Sequence, residues 1–208
     1  MNLLTQNTKI KETSNALKVK VFNFSIPAYR SETGKITCPF ADKCIKFCYA
    51  QKGNYKRFPS VKNGMEKKYQ LTKQDNFIEL MNQEIKKKKP NFIRVHDSGD
   101  YYSPKYLNKW LSIAKDNPNV KFYSYTNSIK FIKDLKVIPK NFDFIFSDSG
   151  KQVNLIDKAK DRHTKIFNSI ESLNKLGYKN ASKIDLYSTK WFNNINKTKI
   201  YNRQRFYN

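Results

Sequence analysis

The sequence is poor in cysteine, histidine, acidic residues and arginine, and each scarcity excludes something. Its three cysteines, Cys38, Cys44 and Cys48, cannot pair off within one chain. That argues against a disulfide framework and for metal-binding or catalytic thiols in a reducing compartment. His96 and His163 are the only imidazoles, so a structural zinc site, which normally wants four protein ligands, would have little to complete it. No stretch approaches the roughly 18 apolar residues of a membrane span. The N-terminal MNLLTQNTKIKETSN has no long apolar core of a secretory signal. The expectation is a soluble, cytoplasmic protein that does not enter a membrane.

Acidic residues number 17 against 41 basic ones, for a formal net charge of +24. Such a balance attracts polyanions, with nucleic acid the first candidate through a basic surface. Only six of the basic residues are arginine, the usual reader of phosphates and guanine edges. Abundant lysine, asparagine, isoleucine, tyrosine and phenylalanine with little glycine or proline is also what an AT-rich coding sequence yields.

At 208 residues the chain fits one domain with a real core. Residues 1–17 read as a loose lead-in, 18–190 as a single domain and 191–208 as a basic, aromatic tail. Lys18 to Ile26 alternates polar and apolar as a first strand. The cysteine loop follows, where the spacing of Cys44 and Cys48 would place both on one face of a helical turn. A long helix is expected from Ser60, as its cap, to Lys88. Its KKKK terminus, Lys86 to Lys89, reads as a phosphate patch or a solvated helix end. Phe92 to Val95, Val120 to Thr126 and Phe142 to Ser147 read as further strands. Between them stand a helix capped by Ser103 with Pro104 at its first position and a short one from Ser128 to Leu135. A fifth strand at Thr164 to Asn168, a helix at Ile170 to Leu176 and a sixth strand at Lys183 to Tyr187 are also expected.

Alternating strands and helices predict an α/β fold with a mostly parallel sheet, either a partial (β/α) barrel or an open sheet. In both, ligands bind at the carboxyl ends of the strands. The cysteine loop follows the first strand, HDSGD the second, Ser124 and Thr126 close the third, and Asp148-Ser149-Gly150 follows the fourth. One edge therefore carries all the candidate chemistry. Three cysteines within eleven residues suit a soft centre, zinc or an iron–sulfur cluster. A cluster held by three cysteines would leave one iron open to a small molecule. His96 reads as a fourth ligand, a proton carrier or a satisfied core histidine, and Arg94 as the partner of an acid. Asp97 and Asp100 read as catalytic carboxylates or as turn formers. Asp148 repeats the DSG of Asp97. Tyr49, Tyr101, Tyr102, Tyr123 and Tyr125 read as base-stacking rings or as core and pocket lining.

The motifs CIKFCYA with Cys38 upstream, FPSV at Phe58 to Val61, RVHDSGDYYS at Arg94 to Ser103 and FYSYTNS at Phe122 to Ser128 resemble the gene product 88 family of phage proteins. That family in turn resembles radical S-adenosylmethionine enzymes. The resemblance covers about residues 22–150. It implies that Cys38, Cys44 and Cys48 hold a [4Fe–4S] cluster, that Phe47 lies against an adenine, and that Tyr49 and Asp148 are among the cofactor-binding residues. It also implies that Ser98, Gly99 and Asp100 receive the methionine amino group and that Ser124 and Thr126 reach the ribose. A phage-encoded chain would act in the host cell cytoplasm. The cysteine spacings, five and three, differ from the three and two usual in radical enzymes, and Ser98 stands where their acidic motif has a second glycine.

Three functions compete at this point: a small radical-type enzyme, a nucleic-acid-binding phage protein braced by zinc or iron–sulfur, and a hydrolase or transferase using Asp97, Asp100 and Asp148 around a divalent ion. The last leaves the cysteines unexplained. Nothing in the sequence names a substrate or sets the oligomeric state.

Overall fold

Val21–Phe24 (β1), Phe92–Val95 (β2), Lys121–Thr126 (β3), Phe142–Ser147 (β4) and His163–Thr164 (β5) form one five-stranded sheet in sequence order, every neighbouring pair parallel. These strands belong to a computed structural model that describes residues 2–167, 169–178 and 180–192. Residues 193–208 of the expected tail lie outside the described residues, as does Asn168, the end of the expected fifth strand. The order β1-β2-β3-β4-β5 leaves β1 and β5 as unjoined edges, so the sheet is open, an α/β fold and not a closed barrel.

The alternation along each strand divides the core into two layers. On one face, Phe24, Ile93, Val95, Phe122, Phe142 and Phe144 pack with Trp110, Leu107 and Met81 from the helices. On the other, Val21, Phe92, Tyr123 and Ile145 meet Ile10 and Leu186. The first layer is built by Pro59–Lys73, Phe77–Lys88 and Pro104–Asp116, which are α3, α4 and α5 after Thr8–Leu17 (α1) and Asn54–Arg57 (α2). Ile129–Lys133 (α6) and Ile170–Lys175 (α7) follow. Among the described residues no helix is long and apolar enough to cross a membrane.

Several expectations are corrected. Residues 1–17 are not a loose lead-in. Asn7 accepts the Ile10 N–H and caps α1, and Thr5 pairs antiparallel with Asn23 of β1. The expected helix from Ser60 to Lys88 is two helices. Phe58 stands at the N-cap of α3 with Pro59 behind it, and the chain turns at 74–76 before α4. The Lys109 ammonium stabilises that break by donating to Thr72 O at 3.0 Å and to Gln74 O at 2.6 Å, the latter carbonyl also accepting the Phe77 N–H at 3.3 Å. Lys183 to Tyr187 is not a sixth strand, because Asp185–Ser188 forms a 3-10 turn. The first and fifth strands are shorter than expected. Cys44 and Cys48 do not share a helical turn. Cys44 lies in the 3-10 turn Lys43–Ile45, and Cys48 is extended at the start of a second one, Tyr49–Gln51.

Candidate functional site

The carboxyl edge of β1 to β4 opens into a cavity of about 150 Å³. Cys38, Cys44 and Cys48 line it from above, Asp97 to Asp100 and Asn127 from the ends of β2 and β3, and Arg94 and Tyr125 from the strands themselves. The cysteine loop is docked on the loop after β4. Cys44 N–H donates to Ser149 O at 3.3 Å, and Lys151 N–H to Phe40 O at 2.8 Å. Gly150 permits this contact, since a Cβ there would lie 2.4 Å from Asn127 Oδ1 and 2.6 Å from Phe40 O.

The three thiols act on one another. Burial pushes the Cys38 thiol far up, and Asp100, Cys48 and Cys44 add to the effect against the opposing Tyr29 N–H, which donates to its sulfur at 3.3 Å. Cys44 is raised by burial, then by Cys48 and Asp100. Its sulfur stands 3.8 Å from Asn127 Nδ2. Both shifts favour the neutral thiol at Cys38 and Cys44. Among the described residues no three His, Cys, Asp or Glu side chains form a ready-made ion site. The three cysteines nevertheless line one cavity.

Asp100 is buried with both carboxylate oxygens engaged. It accepts Thr126 Oγ1 at 2.6 Å and Tyr101 N–H at 2.8 Å on Oδ1, and Asn127 N–H at 2.8 Å on Oδ2. Burial nevertheless pushes it up to about 6. Gly99, at φ +85°, makes the turn possible. A Cβ there would sit 2.2 Å from Ile26 Cγ1, so only glycine fits. Asp97 is a hub. Its carboxylate takes Asn7 Nδ2 at 2.8 Å, Tyr49 OH at 3.0 Å and the Tyr55 hydroxyl, and lies 3.5 Å from Arg94. Two buried polar atoms on the wall, Ser98 Oγ and Asn127 Oδ1, have no hydrogen-bond partner.

Other expected site residues are taken up by the packing around the cavity, although His96 is among the residues that line it. The His96 ring packs in the core among Phe24, Tyr101 and Trp110, with Nε2 2.8 Å from Tyr106 OH. Burial, aided by Arg94, lowers its pKa to about 3, so it is held neutral. Ser124 is fully buried in β3, and the Thr126 hydroxyl is engaged with Asp100. Asp148 turns to Lys158 at 3.5 Å. Phe47 is 45% exposed. Sequence reasoning missed Asn127, which the rule that strand ends carry function would have found. It also missed Asp185, which no local signal marks.

The family model described as "Gene product 88" matches residues 1–203. The Gene 88 proteins of Mycobacterium phage L5 and Mycobacterium phage D29 are each 29% identical to this chain over 102 residues, an alignment that covers 43% of this chain and 42% of the relative. The matched region thus spans under half the length of either relative. No solved structure gives a significant match.

Proposed function

This chain belongs to the gene product 88 family of phage proteins, and on that premise we propose that its cavity holds an iron–sulfur cluster on Cys38, Cys44 and Cys48, with one iron left for a small molecule. One observation carries the reading: three cysteines outside the α-helices and strands share a single cavity with the loops after β2 and β3 and the end of β4. The donor set fits. Thiolates are the ligands of such clusters, and three cysteines leave one iron of a four-iron cluster without a protein ligand.

S-adenosylmethionine is the small molecule proposed, and the reaction class that of radical enzymes acting in the host cytoplasm. A bound cluster of this kind would supply an electron to the cofactor. The chain's own part is to bind and orient. Asp100 is already engaged through both carboxylate oxygens, so the partnerless Ser98 hydroxyl and Asn127 amide oxygen are the better acceptors for an ammonium. Tyr29 and Tyr49 line the cavity and, unlike Phe47, can contact an adenine there. The cavity of about 150 Å³ is below the ~300 Å³ at which small-molecule sites begin. Admission of a nucleoside cofactor therefore requires the rim at 43–58 to move, and that segment is tied to the sheet through Tyr49 and Tyr55 on Asp97.

The test is metal and sulfide analysis of anaerobically purified protein. Brown protein with iron and sulfide, lost in Cys38→Ala, Cys44→Ala and Cys48→Ala, supports the cluster. Colourless protein with one equivalent of zinc overturns it. A reduced-cluster resonance spectrum that S-adenosylmethionine leaves unchanged removes the cofactor and the radical reaction while sparing the cluster.

A further inference from the structure

Rings in this chain are covered by lysine and arginine alike, and the arginine–ring pairs gather at or beside the cavity. Lysine is spread over the whole sequence, as compositional drift would spread it. Of the four arginines within the described residues, three lie over aromatic rings at or beside the cavity. Arg94 covers Tyr125 at 4.8 Å inside it. Arg30 covers Tyr29, a cavity-lining residue, at 5.1 Å. Arg57 covers Phe58 at 5.8 Å, two residues beyond Tyr55, whose hydroxyl binds Asp97. The fourth, Arg162, faces Asp143 at 3.5 Å.

The same rim exposes rings that the core does not need. Phe47, between the lining residues Ile45 and Cys48, is 45% exposed, and Phe58 is 46% exposed. Lys43, Lys46, Lys52 and Arg57 are exposed in the same segment of chain. From Lys43 to Lys73 the only acidic residue is Glu66, which is buried and accepts the Glu32 N–H at 3.0 Å. Of the acids that precede this segment, Glu32 is paired with Lys62 at 3.2 Å, and Asp42 is exposed.

We propose that this rim binds single-stranded nucleic acid, and that a nucleotide of that strand is what the cavity acts on. The proposal rests on the cavity being the working site described above. Arg30, Arg57 and the nearby lysines track the phosphates, while unpaired bases stack on Phe47 and Phe58. A duplex hides the faces of its bases and offers only its phosphates to such a surface. A single strand offers both.

The experiment is fluorescence anisotropy of labelled oligonucleotides of about 15 nucleotides, single-stranded DNA, single-stranded RNA and duplex DNA, at about 150 mM salt. The full chain is used, with iron content measured in each preparation. The expected result is single strands preferred over duplex by about fivefold or more. Arg30→Lys/Arg57→Lys leaves the net charge unchanged and should weaken single-strand binding about fivefold, and Phe47→Leu/Phe58→Leu about tenfold. Lys86→Gln/Lys87→Gln/Lys89→Gln removes three charges at the far end of α4 and should change binding less than about threefold. All these positions are exposed except Phe22-facing Lys88, which is left intact. Duplex binding as tight as single-strand binding, a larger loss from the lysine variant than from the arginine variant, or binding to phosphatidylserine vesicles but not to oligonucleotides overturns the proposal. Iron retained with no strand preference sinks this proposal and spares the cluster. Strand preference in protein that never binds iron does the reverse.

Discussion

Arg94 on β2 and Asp185 in the C-terminal turn stand 91 positions apart and meet inside the protein, the guanidinium NH1 lying 3.1 Å from Oδ1 and 3.0 Å from Oδ2. Lys9 of α1 reaches the same carboxylate at 2.7 Å, and Tyr123 OH donates to it at 2.7 Å. One buried acid therefore fastens the N-terminal helix, the central strands and the last described turn beneath the cavity.

Asp185→Ala leaves the Arg94 charge buried with its main counterion gone and should destabilise the fold by about 3–5 kcal/mol. Urea denaturation measures this. Replacement of the exposed Asp134, paired with Lys130 at the surface, should cost under about 1 kcal/mol. Equal effects at the two sites would contradict the fastening role.

Gly99→Ala brings a Cβ within 2.2 Å of the Ile26 side chain at a φ of +85°. Strain and overpacking together should cost about 2–4 kcal/mol. Gly34→Ala, at a φ of +78° with open space around it, meets only the backbone term of about 1–2 kcal/mol. Thermal unfolding of the two variants separates the contributions.

His96 is held neutral down to about pH 3 by burial and by Arg94. Its unfolded form takes up a proton near pH 6.5. The unfolded state thus binds more protons between these values, and stability is lost as pH falls from 6.5 toward 3. At pH 4.5 this amounts to about 2–3 kcal/mol relative to pH 7. His96→Gln should lack that share, so its stability measured by denaturant at the two pH values should differ less than that of the parent protein.

Cys38 should be the slowest of the thiols to alkylate in metal-free protein, by about tenfold or more against Cys44, since burial and Asp100 suppress its thiolate. Iodoacetamide labelling followed by mass spectrometry reads each site. If the proposed cluster forms, loading it should protect all three.

Much of the sheet was legible because its signals are local. Phe142 to Ser147 alternates within six residues, and Ser103 followed by Pro104 marks the start of α5, where the Ser103 side chain accepts the Tyr106 N–H. The long helix was misread because α3 and α4 have compatible periodicity, and what separates them is an ammonium at Lys109 on another helix. The role expected of Thr126 failed to account for a nearer partner. A hydroxyl at the end of a strand is free to meet a ligand only if no neighbouring loop claims it, and Asp100 does.

The order of residues alone determined which segments become strands and that their chemically capable loops fall on one edge, because alternation and capping act over a few positions. Only the folded chain decided which of those groups enter the cavity and which are consumed in holding it. Asp100, Asp97 and Arg94 are charges whose partners lie tens of residues away, and a buried charge takes whatever counterion or donor the packing brings to it.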